Sequence, residues 1–106
     1  MAEIIWTEPA LHELDAVADY IALDNPAAAR HLVQTVFAGT ERLEEFPQSG
    51  RIPPELAGSV YREVIVPPCR IFYRQEREQV LILFVMREER ALRLSMLESW
   101  TDSGSS

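Results

Sequence analysis

Residues 60–86 read Val-Tyr-Arg-Glu-Val-Ile-Val-Pro-Pro-Cys-Arg-Ile-Phe-Tyr-Arg-Gln-Glu-Arg-Glu-Gln-Val-Leu-Ile-Leu-Phe-Val-Met, and this stretch determines the expected fold. It contains three runs rich in β-branched and aromatic residues, a composition typical of strands. The runs span residues 60–66, 70–74 and 80–86. Pro67-Pro68 and the polar segment 75–79 separate them and predict turns. The third run is apolar at every position, so we expect it to be a central, covered strand.

The N-terminal half of the chain has a helical period instead. Its apolar positions fall into two groups, Leu11, Leu14, Ala18 and Ile21, and then Ala29, Leu32, Val33, Val36, Phe37, Thr40 and Leu43. We expect Thr7 to cap the first helix, and Asn25-Pro26 to begin the second. Glu3 to Trp6 reads as a short preceding strand.

Together these segments predict an α+β fold, with an N-terminal helical hairpin packed on one face of a small antiparallel β-sheet. With 106 residues, the chain is expected to form a single domain over residues 1–100. Residues 101–106, which are polar and small, are expected to form a flexible C-terminal tail. The apolar residues between positions 92 and 100 follow no single period.

The composition narrows the expected location and partners. No apolar run is long enough to span a membrane, and the N-terminus lacks the pattern of a signal peptide. A single cysteine fits a reducing compartment, so we expect a cytoplasmic protein. The net charge of −7 argues against direct nucleic-acid binding. The charge is uneven, because residues 1–45 carry nine acids and two arginines, whereas residues 46–106 carry eight acids and eight arginines.

The sequence lacks the usual catalytic and metal-binding signatures. His12 and His31 are its only histidines, and neither has a second metal ligand at helical spacing. Cys69 is a candidate nucleophile because Arg70 follows it, but a packing role is the stronger interpretation. The four glycines are too scattered for a phosphate-binding loop. We therefore assign no catalytic residue, no cofactor and no metal.

One group of side chains is left as a candidate functional or target-binding face. It consists of the arginines Arg62, Arg70, Arg74, Arg87 and Arg90. Arg70 and Arg74 have equal parity on one strand, so both point to the same face of the sheet, and Arg62 can lie beside them if the register allows. If the helices cover the other face, these arginines form an open cationic patch. The alternative is a set of solvated arginines that pair with Glu63, Glu76 and Glu88.

Three segments in order resemble the signature of the ParE/RelE toxins from type II toxin–antitoxin, or plasmid-stabilisation, systems. These segments are Phe46 to Arg51, Tyr61 to Val66 and Arg70 to Arg74, and the resemblance extends over residues 1–98. It implies the compact toxin fold, a cognate antitoxin of the ParD or a similar type, and inhibition of an essential bacterial process.

The resemblance leaves two branches of the superfamily open. RelE-like members are ribosome-dependent mRNA endoribonucleases that use basic residues on the sheet, whereas ParE-like members poison DNA gyrase without known catalysis. Arg62 and Arg70 match basic positions of RelE-type enzymes. Val64, Glu88 and Leu94 stand where the resemblance would place a second base, an arginine and an acid–base group. These departures favour the ParE-like branch, with gyrase as the target. A family member that has lost toxicity and survives as a binding module is a further alternative.

The same resemblance suggests how the antitoxin binds. Its C-terminal region is expected to cross the helical hairpin and the sheet, with acidic side chains pairing with the arginines. The acidic surface of the first helix, with Glu13, Asp15 and Asp19, is a second possible contact. Arg62 and Arg70, if they lie on an open face, should tolerate substitution without unfolding of the domain.

Overall fold

The computed structural model describes residues 1–90 and Leu92. Its helices and strands follow the predicted order: β1 (Glu3–Trp6), α1 (Glu8–Ala22), α2 (Pro26–Glu41), β2 (Arg62–Val66), β3 (Cys69–Glu76) and β4 (Gln79–Arg87). Two short 3-10 turns, Arg42–Glu44 and Pro54–Leu56, lie between α2 and β2. The predicted α+β class, with a helical hairpin against a small sheet, is confirmed. The expected domain end near residue 100 and the tail at 101–106 lie outside the described residues.

The four strands form one sheet in the order β1-β4-β3-β2. β4 pairs antiparallel with β3, and β3 pairs antiparallel with β2. β1 instead runs parallel to β4, from Glu3 opposite Gln79 to Trp6 opposite Ile82, so the sheet is mixed and not purely antiparallel. A parallel pair needs a long connection between its strands, and the intervening helices and β2–β3 hairpin provide it. The interior position predicted for β4 is confirmed.

Two polar residues were expected to cap the helices, and only one of them does. The Asn25 side chain accepts a hydrogen bond from the backbone N–H of Ala28 at 3.0 Å, so the predicted start of α2 is confirmed. Thr7 precedes α1 but makes no capping hydrogen bond. Its hydroxyl donates to the carbonyl of Ile82 on β4 at 2.7 Å, so its predicted capping role is wrong. Thr7 therefore ties the start of α1 to the central strand.

The main core lies between the helical hairpin and the sheet. α1 packs on β4, and α2 reaches the β2 end of the sheet. The buried side chains of this helix-side core come from both layers and include Ala10, Leu14, Val17, Leu32, Val36, Val64, Val66, Cys69, Ile71, Tyr73, Val80, Ile82 and Val85. Neither helix has the length and hydropathy that a membrane span requires.

A second apolar cluster lies on the opposite face of the sheet, called the second face below. Phe72, Leu83 and Met86 are buried there. A register shift between β3 and β4 at Phe72/Tyr73 leaves Leu83 without an opposing residue and places Leu83 and Phe84 in the same cluster. The partly buried side chains packed against the three are Leu56, Tyr61, Leu81, Phe84 and Leu92.

The contact of α2 with the edge of the sheet depends on a residue without a side chain. A Cβ atom placed on Gly39 would lie 2.7 Å from Cγ2 of Val66. Val66 is buried and β-branched, so its methyl group has little freedom to move away. Gly39 therefore sets the distance between α2 and β2.

We predict that Gly39→Ala destabilises the protein although alanine is the better helix former. Overpacking against Val66 costs about 1–3 kcal/mol, which exceeds the gain of about 1 kcal/mol in helix propensity. Urea unfolding of the two chains measures the difference. In a Val66→Ala background the same substitution should be neutral or stabilising. Stabilisation by Gly39→Ala in both backgrounds would contradict this packing.

Candidate functional site

The site begins with a buried carboxylate on β2. Glu63 is an acidic residue whose side chain has no exposed surface. Its Oε2 accepts a hydrogen bond from Nε of Arg51 at 2.8 Å, and its Oε1 accepts one from Nε of Arg70 at 2.8 Å. A buried carboxylate requires such charged partners, because an unpaired one costs several kcal/mol or more. Glu63 is therefore held between two guanidinium groups.

Arg70, the central cation of this site, is itself almost completely buried and is 7% exposed. Its Nη1 and Nη2 donate to the two carboxylate oxygens of Glu55 at 2.9 and 2.8 Å, a bidentate pair. Its guanidinium carbon also lies 4.9 Å from the ring centroid of Phe72. The hydrogen bonds from Arg70 lower the pKa of Glu55 from 4.5 to about 2, and the pKa of Arg70 is raised by Glu55 and Glu63.

The loop before β2 is attached to the same strand by its backbone. Arg51 and Glu63 exchange two backbone hydrogen bonds, at 3.1 and 2.7 Å. The N–H of Gly50 donates to the hydroxyl of Tyr73 at 2.9 Å, and Nη1 of Arg62 donates to the carbonyls of Gly50 and Gln48 at 2.8 and 3.2 Å. A Cβ atom on Gly50 would lie only 2.6 Å from that hydroxyl. Gly50, which has no side chain, thus permits a close approach of the loop to the sheet.

A cleft of about 390 Å³ lies beside the buried pairs. Its walls are formed by Arg51, Pro54, Glu55, Ile65, Arg70 and Glu88. The two arginines and two glutamates of this wall have formal charges that cancel, and the buried Glu63 adds a further negative charge. The cleft therefore provides no excess positive charge for a phosphate.

The structure does not bring the five candidate arginines together. They were Arg62, Arg70, Arg74, Arg87 and Arg90. Residues paired in register share a face, and Arg62 is paired with Tyr73, a residue of the helix-side core. Arg87 is paired with Cys69 of the same core, whereas Arg70 and Arg74 lie on the second face, as parity predicted. The prediction of a single open cationic patch is wrong, because the register separates its members and Arg70 is buried.

The more accessible arginines are also largely neutralised. Arg74 pairs with Glu76 at 3.0 Å. Arg87 pairs with Glu89 at 2.7 Å, and its guanidinium carbon lies 5.1 Å from the ring centroid of Tyr20 on α1. The alternative expectation of arginine–glutamate pairs is thus correct for Glu63 and Glu76, whereas Arg87 pairs with Glu89 and not with Glu88. Arg90 is exposed and forms no ion pair within residues 1–90 and Leu92.

The other sequence candidates have no catalytic geometry. Cys69 is fully buried, and burial raises the pKa of its thiol to about 11, so the reactive thiolate is disfavoured. His12 and His31 are exposed on the helices, and the side chain of His31 lies 3.4 Å from the hydroxyl of Thr35. Within the described part of the chain, no three His, Cys, Asp or Glu side chains are grouped to hold a metal ion.

Comparison with known proteins identifies the family. Residues 4–92 match the model of the family described as ParE toxin of type II toxin-antitoxin system, parDE. The chain belongs to the ParE toxin family. The match covers both helices, strands β2 to β4, residues 4–6 of β1 and every residue of the buried ion pairs.

Two similar proteins are described as a toxin and as a toxin–antitoxin system. "Toxin RelE2" of Caulobacter vibrioides is 39% identical over 74 residues, which are 69% of this chain and 80% of that protein. A solved structure described as "Chromosomal ParDE TA system from P. aeruginosa" superposes with a TM-score of 0.70 and 28% identity. That superposition covers 84% of this chain and 98% of the other.

Within this ParE-family chain, the positions that resemble RelE-type basic sites serve the fold. Arg62 binds the carbonyls of the preceding loop, and Arg70 binds two carboxylates. Val64 is buried in the helix-side core, and Glu88 lies in an exposed turn. Leu94, where an acid–base group was sought, lies outside the described residues. None of these four positions, Arg62, Val64, Arg70 and Glu88, presents an unpaired cation at the middle of the sheet.

The sequence reasoning missed Glu55 and Arg51 as members of this site. Glu55 lies in the turn before β2 and Arg51 in the loop, far in sequence from Arg70. Neither belongs to a periodic segment, so no pattern predicts where its side chain points. Glu63 did carry a signal, because it is a charged residue in a strand that is mostly apolar. It lies opposite Phe72 in the register of β2 and β3, and its side chain is on the same face of the sheet as that of Arg70.

We predict that Arg70→Ala lowers the free energy of unfolding by about 3–5 kcal/mol, because it leaves a buried carboxylate with one partner fewer. Arg70 does not lie on an open face, so the expected tolerance to substitution does not apply to it. Arg74→Ala, which removes a more exposed pair, serves as the control and should cost about 1 kcal/mol or less. Denaturant unfolding compares the two. Equal losses would contradict the special role of the buried pair.

We also predict a pH dependence that comes from Glu55. Its pKa is about 2 in the folded state and 4.5 when unperturbed, so its stabilising pair is complete above pH 4.5. The contribution is lost as the pH falls from 4.5 towards 2, because the unfolded chain then binds the proton more readily. Thermal unfolding should show the wild type losing stability relative to Glu55→Gln across this range. A difference that does not change with pH would contradict the shifted pKa.

Proposed function

We propose that this chain is the toxin of a type II toxin–antitoxin pair and acts by binding DNA gyrase, without a ribonuclease activity of its own. The observation that supports this proposal is the state of Arg70. Its guanidinium donates to two carboxylates and is almost completely buried, so it has no geometry for contact with a scissile phosphate. Toxicity then depends on contacts with a protein.

Ribonuclease chemistry requires groups that this site lacks among its described residues. A ribosome-dependent nuclease must stabilise the charge that develops on the phosphate and must move protons to and from the ribose and the leaving oxygen. The positive charges of Arg51 and Arg70 are matched by Glu55 and Glu63. The thiol of Cys69 is buried, and neither histidine lies on the sheet. This balance of charge favours binding over catalysis.

The Arg87–Arg90 turn is the part of the predicted arginine face that stays available for a target. The Arg87 side chain is 40% exposed, and Arg90 lies at the surface beyond it. The exposed Tyr20 stacks against Arg87 and supplies an aromatic neighbour. Arginine and tyrosine are enriched among the residues that dominate protein interfaces. We therefore place the gyrase contact at this turn.

A cognate antitoxin is the second partner that we propose, and it is supported by the family and by the P. aeruginosa structure, which is described as a ParDE TA system. The hairpin provides apolar contacts for an antitoxin segment, because several large side chains are exposed on it, namely Leu11, Tyr20, Leu23 and Phe37. Asp15 and Asp19 on the exposed side of α1 suit a basic segment. The sheet arginines are less suited to an acidic segment, because most of them already have carboxylate partners.

A RelE-like endoribonuclease is the second candidate, and one observation favours it: the relative at 39% identity bears the name "Toxin RelE2". A non-toxic binding module of the same fold is the third candidate. The three differ in what they do to cells on induced expression. Gyrase poisoning causes filamentation and a DNA-damage response, a ribonuclease stops translation, and a non-toxic module leaves growth unchanged.

The deciding experiment is ATP-dependent supercoiling of relaxed plasmid by purified gyrase, titrated with toxin that has been separated from its antitoxin and refolded. We expect lost supercoiling and an accumulation of cleaved plasmid. Arg90→Glu should weaken inhibition by about tenfold or more, the loss of about 1.4 kcal/mol of binding. Its matched control is Arg30→Glu, which makes the same change at an exposed position of α2.

The controls separate the possible outcomes. Addition of the antitoxin should restore supercoiling, which excludes a contaminating nuclease. Unimpaired gyrase together with cleavage of mRNA on translating ribosomes would overturn the proposal in favour of the RelE-like candidate. Equal inhibition by the Arg90 and Arg30 variants would move the contact away from the turn after β4.

A further inference from the structure

A second cleft, of about 470 Å³, lies between the loop that precedes β2 and the end of the β3–β4 hairpin. It is called the Arg62–Arg77 cleft below, and its lining residues are Gln48, Ser59, Val60, Arg62, Gln75 and Arg77. No carboxylate is among these described residues, so the two guanidinium groups are not neutralised within the cleft. The cleft beside Arg70 differs in this respect, because its two arginines are matched by two glutamates.

Arg62 is half-buried, and the preceding loop holds its guanidinium group in place. Nη1 donates to the carbonyls of Gln48 and Gly50 at 3.2 and 2.8 Å. Within residues 1–90 and Leu92, Arg62 forms no ion pair, and its Nε and Nη2 atoms make no hydrogen bond. A guanidinium group that is already held by carbonyls loses little conformational freedom when it binds an anion.

Side-chain amides connect the two walls of the cleft. Nε2 of Gln48 donates to Oε1 of Gln75 at 3.4 Å, and Nε2 of Gln75 donates to the carbonyl of Arg77 at 3.2 Å. Oγ of Ser59 accepts a hydrogen bond from the N–H of Tyr61 at 3.2 Å, so its hydroxyl hydrogen can still be donated. The cleft is therefore rich in donors, which suits a group that only accepts hydrogen bonds, such as an ionised carboxylate.

The surroundings of the cleft favour a protein ligand over a nucleic acid. Val60, an apolar side chain that is 69% exposed, lines the cleft together with the arginines. Protein interfaces combine arginine with such apolar contacts. Nucleic-acid binding needs many cationic contacts to phosphates, and here two arginines stand against a net charge of −7 for the chain. Glu76 and Glu78, which flank Arg77, add further repulsion of an extended polyanion.

We propose that the Arg62–Arg77 cleft is a docking site for an acidic segment of a protein partner. A glutamate or aspartate of that segment binds the guanidinium groups of Arg62 and Arg77, and an apolar neighbour in the segment packs against Val60. Charge complementarity selects this partner, because the cleft has two cations and no lining carboxylate. The cleft shares no lining residue with the Arg87–Arg90 turn or the helical hairpin, so the inference does not depend on the gyrase contact proposed above.

The test is an NMR titration of isotopically labelled full-length protein with a blocked pentapeptide, acetyl-Ala-Leu-Glu-Leu-Ala-amide. We expect saturable shifts of the Nε–Hε signals of Arg62 and Arg77 and of the backbone amide signals of Ser59 and Val60. The same peptide with glutamine in place of glutamate should bind about tenfold more weakly, because the charged acceptor is lost. Absence of these shifts, or equal binding of the two peptides, would overturn the proposal.

A matched pair of variants tests the site on the protein side. Arg77→Gln removes one guanidinium group at an exposed turn and should weaken binding of the glutamate peptide by about tenfold. The backbone φ of 57° at this position is no less favourable for glutamine than for arginine, so urea unfolding should be unchanged. Arg30→Gln makes the same change at an exposed position of α2 and should leave the affinity unchanged. Equal affinities of the two variants would contradict the site.

Two further titrations separate other occupants of the cleft. A single-stranded polyuridine oligonucleotide that shifts the same signals at a lower concentration than the peptide would overturn the proposal in favour of nucleic acid. Shifts of these signals when the protein alone is concentrated would identify a second copy of the chain as the occupant and would also overturn it.

Discussion

The carboxylate of Glu63 is the group on which the arrangement around the sheet depends. It lies without solvent contact between the guanidinium groups of Arg51 and Arg70, and Arg70 extends the chain of charges to Glu55. Two elements that share no periodic pattern, the loop at Arg51 and the turn at Pro54–Leu56, are thereby fixed to the edge of the sheet. Apolar side chains hold the helices to the sheet, whereas buried ion pairs hold the loop and the turn to the edge strand β2. The geometry of these ion pairs is correspondingly specific, because each carboxylate oxygen has a defined donor.

The helices and strands could be predicted because each has a period that physical chemistry imposes. Apolar residues at helical spacing had to face a sheet, and the β-branched runs had to pair with one another. The pairing of β1 was harder to predict, since a four-residue strand carries no mark of the direction in which it pairs. Thr7 illustrates the same limit. Its hydroxyl had a local use as a cap and a distant one on the carbonyl of Ile82, and the tertiary contact prevailed.

The sequence predicted which side chains of a single strand share a face of the sheet, but not how neighbouring strands pair. Alternation along β3 correctly put Arg70 and Arg74 on one face, but the register with β2 and β4 sent Arg62 and Arg87 to the other. A count of charges also could not tell a free arginine from a neutralised one. Arg70 looks like a functional cation in the sequence and is a structural cation in the fold, since its partner Glu55 comes from an irregular segment.

The parallel pairing of β1 with β4 has a consequence for the order of events during synthesis. Glu3 lies opposite Gln79, and the Thr7 hydroxyl binds a carbonyl 75 residues later in the chain. A ribosome therefore makes β1 well before it makes β4. The emerging hairpin can form its local helical contacts early, but the sheet cannot close until β4 has left the exit tunnel. A nascent chain that ends before β4 lacks an interior strand of the sheet, and a cell that makes this protein meets a folded toxin only after β4 has been synthesised.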